Sequence, residues 1–344
     1  GVRIIPTPAR SCIPFPHAPR AQSENSLRQS PAHRRISLIY PRAACFIRDV
    51  INVCRNAKPI FKFCANLLRT TGKSPATSRR SVRNNVPLLE LKNIGKQFRI
   101  ESGLFSTRGT VRAAHDVTFT IEPGEIVALV GESGSGKTTV GKMIQGLLRP
   151  DSGKILFDGK DASGMDRKER AAWTQMIFQD PYSSLNPKMT VGAALREAMH
   201  RNSSAGTGHS AFTEIGEILG LVGLPSNIQD SYPHQFSGGQ RQRIVIARAL
   251  ALHPRLIVAD EPVSVLDVSI QAQILNLLLD LKSKLNLTYL LITHDLPVVE
   301  YLSDRVLVMR DGELVEQGPT QQIFSAPQNP YTQKLLSAAL PLTV

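Results

Sequence analysis

From Leu88 onward, two patterns of apolar and polar residues alternate along the chain. Short, continuous apolar runs occur in EIVALV (125–130), LIVAD (256–260) and TYLLITHD (288–295). Runs of this kind are typical of strands that are buried on both faces. Between the last two, SIQAQILNLLLDLKSKL (269–285) repeats apolar residues at intervals of three and four, which predicts an amphipathic helix. Buried strands that alternate with such helices indicate an α/β domain with a largely parallel sheet.

Other segments predict strands of a different kind. LLELKNIGKQFRI (88–100) alternates apolar and polar residues as a half-buried strand does, and TFTIEPGEIVALV (118–130) contains two strands joined by a Pro-Gly turn. DRVLVMRDGELVEQG (304–318) carries Asp311-Gly312 between two strand-like runs, which is a strong hairpin signal. No stretch approaches the roughly 18–20 uninterrupted apolar residues that a membrane span requires.

The net charge of +13 is confined to the first quarter of the chain. Residues 1–87 hold 16 Lys/Arg against two acidic residues, which leaves +14, and residues 88–344 hold 25 Lys/Arg against 26 Asp/Glu, which leaves −1. Prolines also break this segment, so we expect residues 1–86 to be a basic, mostly disordered extension with one or two short amphipathic helices within residues 36–68. An organelle transit peptide, a basic arm for lipid or nucleic acid, and an upstream extension from a wrongly assigned start all fit this composition.

All four cysteines lie in the same basic segment, at Cys12, Cys45, Cys54 and Cys64. Their wide spacings match no zinc or redox pattern. Residues 87–344, which contain no cysteine, are predicted to form one domain.

A phosphate-binding loop is predicted at GESGSGKTT (131–139), directly after the buried run EIVALV. Gly131, Gly136, Lys137 and Thr138 satisfy the pattern Gly-x4-Gly-Lys-Thr. Small residues leave backbone N–H groups free to surround a phosphate, and the following helix directs its positive end at the same place. Lys137 would reach the β- and γ-phosphates of a nucleotide, and the Thr138 hydroxyl would bind magnesium. The other loop residues expected to contact nucleotide are Ser133, Gly134, Ser135 and Thr139.

Two carboxylates follow the buried run LIVA and supply the acidic partners that such a loop needs. Asp260 is placed to hold magnesium through water, and Glu261 to orient or deprotonate the attacking water. An acidic helix cap is the plainer explanation, but it does not account for two acids behind an apolar run in a chain that also has a phosphate loop.

With these motifs in place, FSGGQ (236–240) resembles the signature motif of ATP-binding subunits of ATP-binding-cassette (ABC) transporters. The resemblance covers residues 88–344. It implies a P-loop NTPase core of α/β class with a mixed, largely parallel sheet, an antiparallel β subdomain and an inserted α-helical subdomain at about residues 181–235. A C-terminal extension is expected at about residues 323–344.

The resemblance also implies roles for further residues. Phe98 would stack on adenine, Gln179 would approach magnesium and the water, and His294 would contact the γ-phosphate. In this family two cassettes close head to tail on two ATP molecules. The residues that would meet nucleotide from the opposite cassette or along its edge are Ser237, Gly238, Gly239, Gln240 and Asp267.

FQDPYSSLNPKMTVG (178–192) and PQNPYTQKLLSAALP (327–341) resemble the dipeptide, oligopeptide and nickel importer branch, with Asn329 where that branch usually has histidine. The implied function is an ATP hydrolase that binds ATP and Mg²⁺ and powers import of a small solute. The solute that the resemblance favours is a di- or oligopeptide. The implied partners are membrane permease subunits, a second ATP-binding subunit and an extracytoplasmic solute-binding protein. These partners imply that the chain is a peripheral subunit at the cytoplasmic face of the inner membrane.

Three questions stay open at this point. Nickel or another small solute is an alternative cargo, and the second cassette could be an identical or a related chain. A soluble cassette ATPase that acts on nucleic acid with the basic arm is the alternative of a different class. It is disfavoured because residues 88–344 contain one cassette, no cysteine and no long coiled-coil pattern.

Overall fold

The computed structural model describes residues 86–100, 109–203 and 215–339. The predictions for residues 1–85, namely disorder, short helices and isolated cysteines, lie outside the described residues. The strands, in chain order, are β1 Leu89–Ile100, β2 Gly109–Ile121, β3 Ile126–Val130, β4 Ser152–Phe157, β5 Lys160–Asp161, β6 Thr174–Ile177, β7 Leu256–Asp260, β8 Thr288–Ile292, β9 Arg305–Arg310 and β10 Glu313–Pro319.

The helices, also in chain order, are α1 Lys137–Gln145, α2 Arg167–Trp173, α3 Pro181–Ser184, α4 Val191–Ser203, α5 Ile215–Leu221, α6 Gly238–Leu250, α7 Val268–Leu285, α8 Leu296–Leu302, α9 Thr320–Ser325 and α10 Pro330–Ala339. The predicted helix at 269–285 is confirmed as α7, one residue longer at its start. None of the described helices is both long enough and apolar enough to cross a membrane.

Six strands form the main sheet, in the order β10-β9-β3-β8-β7-β6. All neighbouring pairs are parallel except β9 and β10, which are antiparallel. Asp311 and Gly312 join these two with φ values of 48° and 88°, the left-handed geometry of a two-residue hairpin turn. The predicted mixed, largely parallel sheet is thus confirmed, and β3, β7 and β8 are buried at every position.

A second, antiparallel sheet has the order β2-β1-β4-β5. Its presence confirms the predicted antiparallel part of the fold. The Pro123-Gly124 turn carries the chain from β2 in this sheet to β3 in the main sheet, so the two strands predicted around that turn do not pair with each other.

Alternate residues of the buried strands pack into separate layers. Ile257 and Ala259 of β7 face a cluster with α4, α5, α6 and α7, whereas Val258 faces a cluster with α1 and the second sheet. A third cluster joins β3 and β9 to α8, α9 and α10. A period of two therefore appears even in strands without a polar face, because both faces are covered by apolar layers.

Between β6 and α6 the described residues form helices α3, α4 and α5 and two short 3-10 helices at Ser226–Asp230 and Pro233–Gln235. The expected helical subdomain at about 181–235 falls on this segment. The boundaries of the domains and subdomains remain predictions.

Candidate functional site

The carboxyl ends of four neighbouring parallel strands, β3, β8, β7 and β6, share one edge of the main sheet. The phosphate loop follows β3, Asp260 and Glu261 stand at the end of β7, and His294 comes two residues after β8. Gln179 comes two residues after β6 at the same edge. Ligands bind at such edges because the loops of several strands converge there.

The phosphate loop lies directly against strands of both sheets. Gly131 and Gly136 have φ values of 153° and 102°, which residues with a side chain rarely adopt. A Cβ atom on Gly131 would overlap the carbonyl oxygen of Met309 in β9, and one on Gly136 would overlap that of Ala113 in β2. The two motif glycines are therefore required by the backbone conformation and the packing of the loop.

Lys137 is the first residue of α1, and its ammonium group points back into the loop. Nζ donates hydrogen bonds to the carbonyl oxygens of Gly131 at 2.8 Å and Glu132 at 2.7 Å, and to the Ser135 hydroxyl at 3.3 Å. Burial lowers the pKa of Lys137, and the carboxylates around it oppose that shift. The ammonium group of Lys137 is thus held by oxygen atoms of the loop itself.

Thr138, the residue after Lys137, reaches β7, which is separated from β3 by β8 in the main sheet. The Thr138 hydroxyl donates to Asp260 Oδ1 at 3.1 Å, and Asp260 is buried at the end of β7. Burial raises the pKa of Asp260; the Thr138 hydrogen bond opposes this shift and the charge of Glu261 adds to it. Two oxygen donors therefore meet beside the phosphate loop.

Glu261 and His294 form a second pair beside the first. Glu261 Oε1 lies 2.8 Å from His294 Nδ1, and the Glu261 backbone N–H donates to the Ile292 carbonyl oxygen at 2.8 Å. The Glu261 side chain is 20% exposed and that of His294 62% exposed. A carboxylate with limited solvent access is thus oriented by an imidazole that faces outward.

The remaining predicted residues lie around this centre. Ser133 and Gly134 are exposed at the tip of the loop, and Thr139 is half-buried in α1. Phe98 is exposed on β1, with Lys96 Nζ 5.8 Å from its ring centroid, and Gln179 and Asp267 are exposed. Within the described ranges, no hydrogen bond joins Phe98, Gln179 or Asp267 to the phosphate loop.

The stretch FSGGQ forms the beginning of α6. The Ser237 hydroxyl accepts from the Gln240 N–H at 3.4 Å, and Gln240 Oε1 accepts from the Ser237 N–H at 3.1 Å, which is a capping box. A Cβ atom on Gly239 would lie 2.5 Å from Ile270 Cγ2, whereas one on Gly238 would make only an ordinary contact. Gly239 is therefore needed for packing against α7 of the same chain, a reason that sequence spacing did not reveal.

Two positions that support the site were missed by sequence reasoning. Gln242 is fully buried and donates to the Pro262 carbonyl oxygen at 2.8 Å, just beyond Glu261. The Gly312 N–H of the hairpin turn donates to the Ser135 carbonyl oxygen at 3.1 Å. A polar amide in front of the apolar run IVIARALAL was a visible signal for Gln242, but nothing in the sequence linked the hairpin turn to the phosphate loop.

Solved structures with a similar fold indicate its class. The dimeric post-hydrolysis structure of the ATP-binding cassette MJ0796, bound to ADP and Pi, matches with a TM-score of 0.56 and 29% identity, covering 67% of this chain and 98% of that one. CbiO1 from Clostridium perfringens, part of the ABC transporter complex cbiONQ, matches with a TM-score of 0.57. The fold is that of an ABC-type ATPase cassette.

Sequence comparisons lead to the particular family. The ABC transporter family pattern matches residues 114–264, and that of the oligopeptide/dipeptide transporter C-terminal region matches residues 315–344. The chain is 46% identical to the oligopeptide transport ATP-binding protein AppF of Bacillus subtilis, over 76% of this chain and 80% of that protein. It is 44% identical to the dipeptide transport ATP-binding protein DppF of Haemophilus influenzae, over 75% and 79% respectively. The chain belongs to the ABC transporter family of ATP-binding proteins, in the oligopeptide/dipeptide branch, and is an ATP hydrolase of that type.

Proposed function

We propose that this chain powers import of a small solute by hydrolysing ATP beside separate membrane permease subunits. The solute that we propose is a di- or oligopeptide. The observation that carries the proposal is the Glu261–His294 contact next to the Thr138–Asp260 pair. The peptide cargo is supported by what the relatives transport according to their names and by the match over residues 315–344. Nothing in the comparisons favours the nucleic-acid alternative.

This geometry supports the following hydrolytic step. Lys137 would leave the loop carbonyls for the β- and γ-phosphates, while N–H groups of the loop surround the phosphate chain. Glu261 would accept a proton from the water that attacks the γ-phosphate, because its carboxylate is oriented and partly shielded. The bond from the γ-phosphorus to the bridging oxygen would break as the new bond forms, releasing ADP and phosphate. His294 would hold that carboxylate and contact the γ-phosphate.

The residues present fit a magnesium ion. Thr138 and Asp260 offer two hard oxygen donors in contact with each other. No group of three or more His, Cys, Asp and Glu residues that could hold a metal occurs in the described part of the chain, which agrees with an ion that takes most ligands from water and phosphate. When bound, magnesium neutralises charge on the phosphates. Thr138 would ligate directly, Asp260 through water, and Gln179 from the neighbouring strand.

A second cassette, identical or related, would complete each site. Ser237, Gly238, Gly239 and Gln240 would face the γ-phosphate on the opposite cassette, where the N-terminus of α6 favours an anion. Asp267, exposed at the start of α7, would lie along the same interface. Phe98 would stack on adenine from the antiparallel sheet.

The proposed partners are permease subunits and an extracytoplasmic solute-binding protein, with this chain held peripherally at the cytoplasmic face of the inner membrane. Uptake of a radiolabelled tripeptide and of ⁶³Ni²⁺ tests this in cells that lack the gene. The wild-type gene should restore tripeptide uptake, and Glu261→Gln should not. Restored uptake of nickel instead would overturn the peptide cargo, and equal uptake with Glu261→Gln would overturn the role in hydrolysis.

A further inference from the structure

The C-terminal helix α10 touches the phosphate loop. The hydroxyl of its second residue, Tyr331, accepts a hydrogen bond from the Glu132 backbone N–H at 3.2 Å, although 199 positions separate the two residues. The Tyr331 ring is buried in the apolar cluster that contains Val130, the last residue before the loop. The Arg310 guanidinium covers it at 5.0 Å from the ring centroid. The contact is therefore part of a packed core and not a surface encounter.

The peptide unit between Gly131 and Glu132 is held at both ends. Its C=O accepts from Lys137 Nζ at 2.8 Å, and its N–H donates to Tyr331. Hydrogen bonds in such a chain polarise and strengthen one another. A Lys137 side chain that turned towards phosphate would release this C=O, whereas the Tyr331 hydroxyl would still accept from the N–H of the same peptide.

Tyr331 is itself positioned by the turn that precedes α10. Asn329 Oδ1 accepts from the Tyr331 N–H at 2.8 Å, which caps the helix. The Glu316 carboxylate of β10 accepts from the N–H groups of Gln328 at 2.7 Å and Asn329 at 3.1 Å. The turn is thus anchored to the edge of the main sheet, and the anchor fixes the distance from α10 to the loop.

We propose that Tyr331 is a positioning residue for nucleotide binding, whose hydroxyl keeps the Gly131–Glu132 peptide in place while Lys137 moves to phosphate. This inference rests on the proposed nucleotide site. It gives helix α10 of this cassette a role in holding the phosphate loop, at the N–H of the peptide whose C=O contacts Lys137.

Tyr331→Phe tests the proposal because it removes one oxygen and keeps the ring in the core. Tyr301→Phe is the matched control, since it also removes a hydroxyl with a hydrogen bond, to Asn276 at 2.7 Å, but on α8. In the full chain, Tyr331→Phe should weaken ATP binding about three- to tenfold, the value of one hydrogen bond. It should raise KM for ATP equally with kcat unchanged, and Tyr301→Phe should change neither. The melting temperatures of the two variants without nucleotide should be similar.

Two variants of Asn329 test the position of Tyr331, and Lys137→Ala distinguishes failure of the brace from failure of the nucleotide site. Asn329→Ala loses the helix cap and should weaken ATP binding in the same direction, whereas Asn329→Ser keeps a capping oxygen and should restore most of it. If Lys137→Ala weakens ATP binding but Tyr331→Phe behaves as Tyr301→Phe does, the brace is wrong and the nucleotide site stands. If Lys137→Ala leaves ATP binding intact, the proposed site itself is wrong, and the brace with it.

Discussion

At the scale of single residues, the backbone of Glu261 is held in a conformation that few residues with side chains adopt. Its φ of 48° is left-handed, and such a residue costs on the order of 1–3 kcal/mol. The hydrogen bond from its N–H to β8 holds the backbone there, and the turn directs the carboxylate to His294. The position of the carboxylate is thus set by the backbone as well as by its side-chain partner.

Replacing Glu261 with glutamine isolates its chemistry. Glu261→Gln keeps the shape of the side chain but cannot accept a proton, so steady-state ATP hydrolysis should fall at least about 100-fold while ATP binding is retained. The ATP-loaded dimer should accumulate as a consequence. Turnover and nucleotide affinity, measured on the same preparation, check both statements.

Lys137→Ala is the contrasting variant, since it should weaken ATP binding itself. A Glu261→Gln protein that hydrolyses ATP at the wild-type rate would show that another group accepts the proton.

At the scale of elements, the start of α6 contains two glycines with different neighbours. Gly239 has the Ile270 side chain of the same chain against it, so a substitution there disturbs the fold as well as any partner contact. Gly238 has room for a side chain and is half-buried at the surface of one cassette. Gly238 is therefore the position at which contact with a second cassette can be examined separately.

Gly238→Asp should place an anion where the γ-phosphate of the opposite cassette arrives, and like charges repel in a partly dry site. We expect near-normal ATP binding by the single chain and loss of ATP-dependent dimerisation and hydrolysis. Light scattering with ATP in the absence of magnesium measures the dimer. Gly238→Ala, which adds volume without charge, should retain more dimer; a Gly238→Asp dimer as abundant as wild type would contradict the contact across cassettes.

The anchor of α10 should depend on pH. Partial burial opposes ionisation of Glu316, but the nearby Thr332 hydroxyl and the N–H groups of Gln328 and Asn329 outweigh it and lower the pKa below the ordinary 4.5. The ionised carboxylate therefore stabilises the fold above about pH 4.5, and this contribution disappears as pH falls through the lowered pKa.

Glu316→Gln should accordingly lower the melting temperature at pH 7, and the difference from wild type should shrink below pH 4.5. Thermal unfolding followed by circular dichroism across this range measures it. Glu300→Gln, at an exposed position on α8, is the control and should leave the melting temperature unchanged. A Glu316→Gln deficit that is constant with pH would show that the carboxylate charge is not what holds the turn.

At the scale of the whole molecule, the sequence predicted those features that depend on residues close together along the chain. The phosphate loop, the acidic pair after β7 and the hairpin at Asp311-Gly312 each combine a local pattern with a local geometry. The contacts of Gly239 with Ile270 and of Glu132 with Tyr331 join distant segments. No spacing rule reports them, because they depend on how layers stack after the strands have paired.

Removal of residues 1–86 tests whether the basic segment matters to the cassette. Residues 88–344 contain every motif the chemistry needs, so ATP affinity and melting behaviour should stay essentially unchanged. Binding of the segment to an anionic lipid surface gives a second test, since each Lys/Arg contributes about 1 kcal/mol there. The chain with residues 1–86 should then bind anionic vesicles at low salt and release them at high salt. The shortened chain should not bind them.

Equal vesicle binding by both forms would reject the membrane arm. Loss of ATP binding in the shortened chain would mean that the domain starts before residue 87.

The strand order of the main sheet also determines when β3 can pair during synthesis of the chain. Among the described strands, β3, which precedes the phosphate loop, pairs with β8 on one side and β9 on the other. The backbone of Gly124, just before β3, is bonded to Thr288 of β8 from 164 positions away. At roughly 5–20 residues per second, a ribosome needs about 10–30 seconds to supply that partner. During this interval β3, an entirely apolar strand, lacks the two strands that cover its edges in the folded protein. Unpaired apolar strands promote aggregation, so we expect a chain that ends before β8 to aggregate.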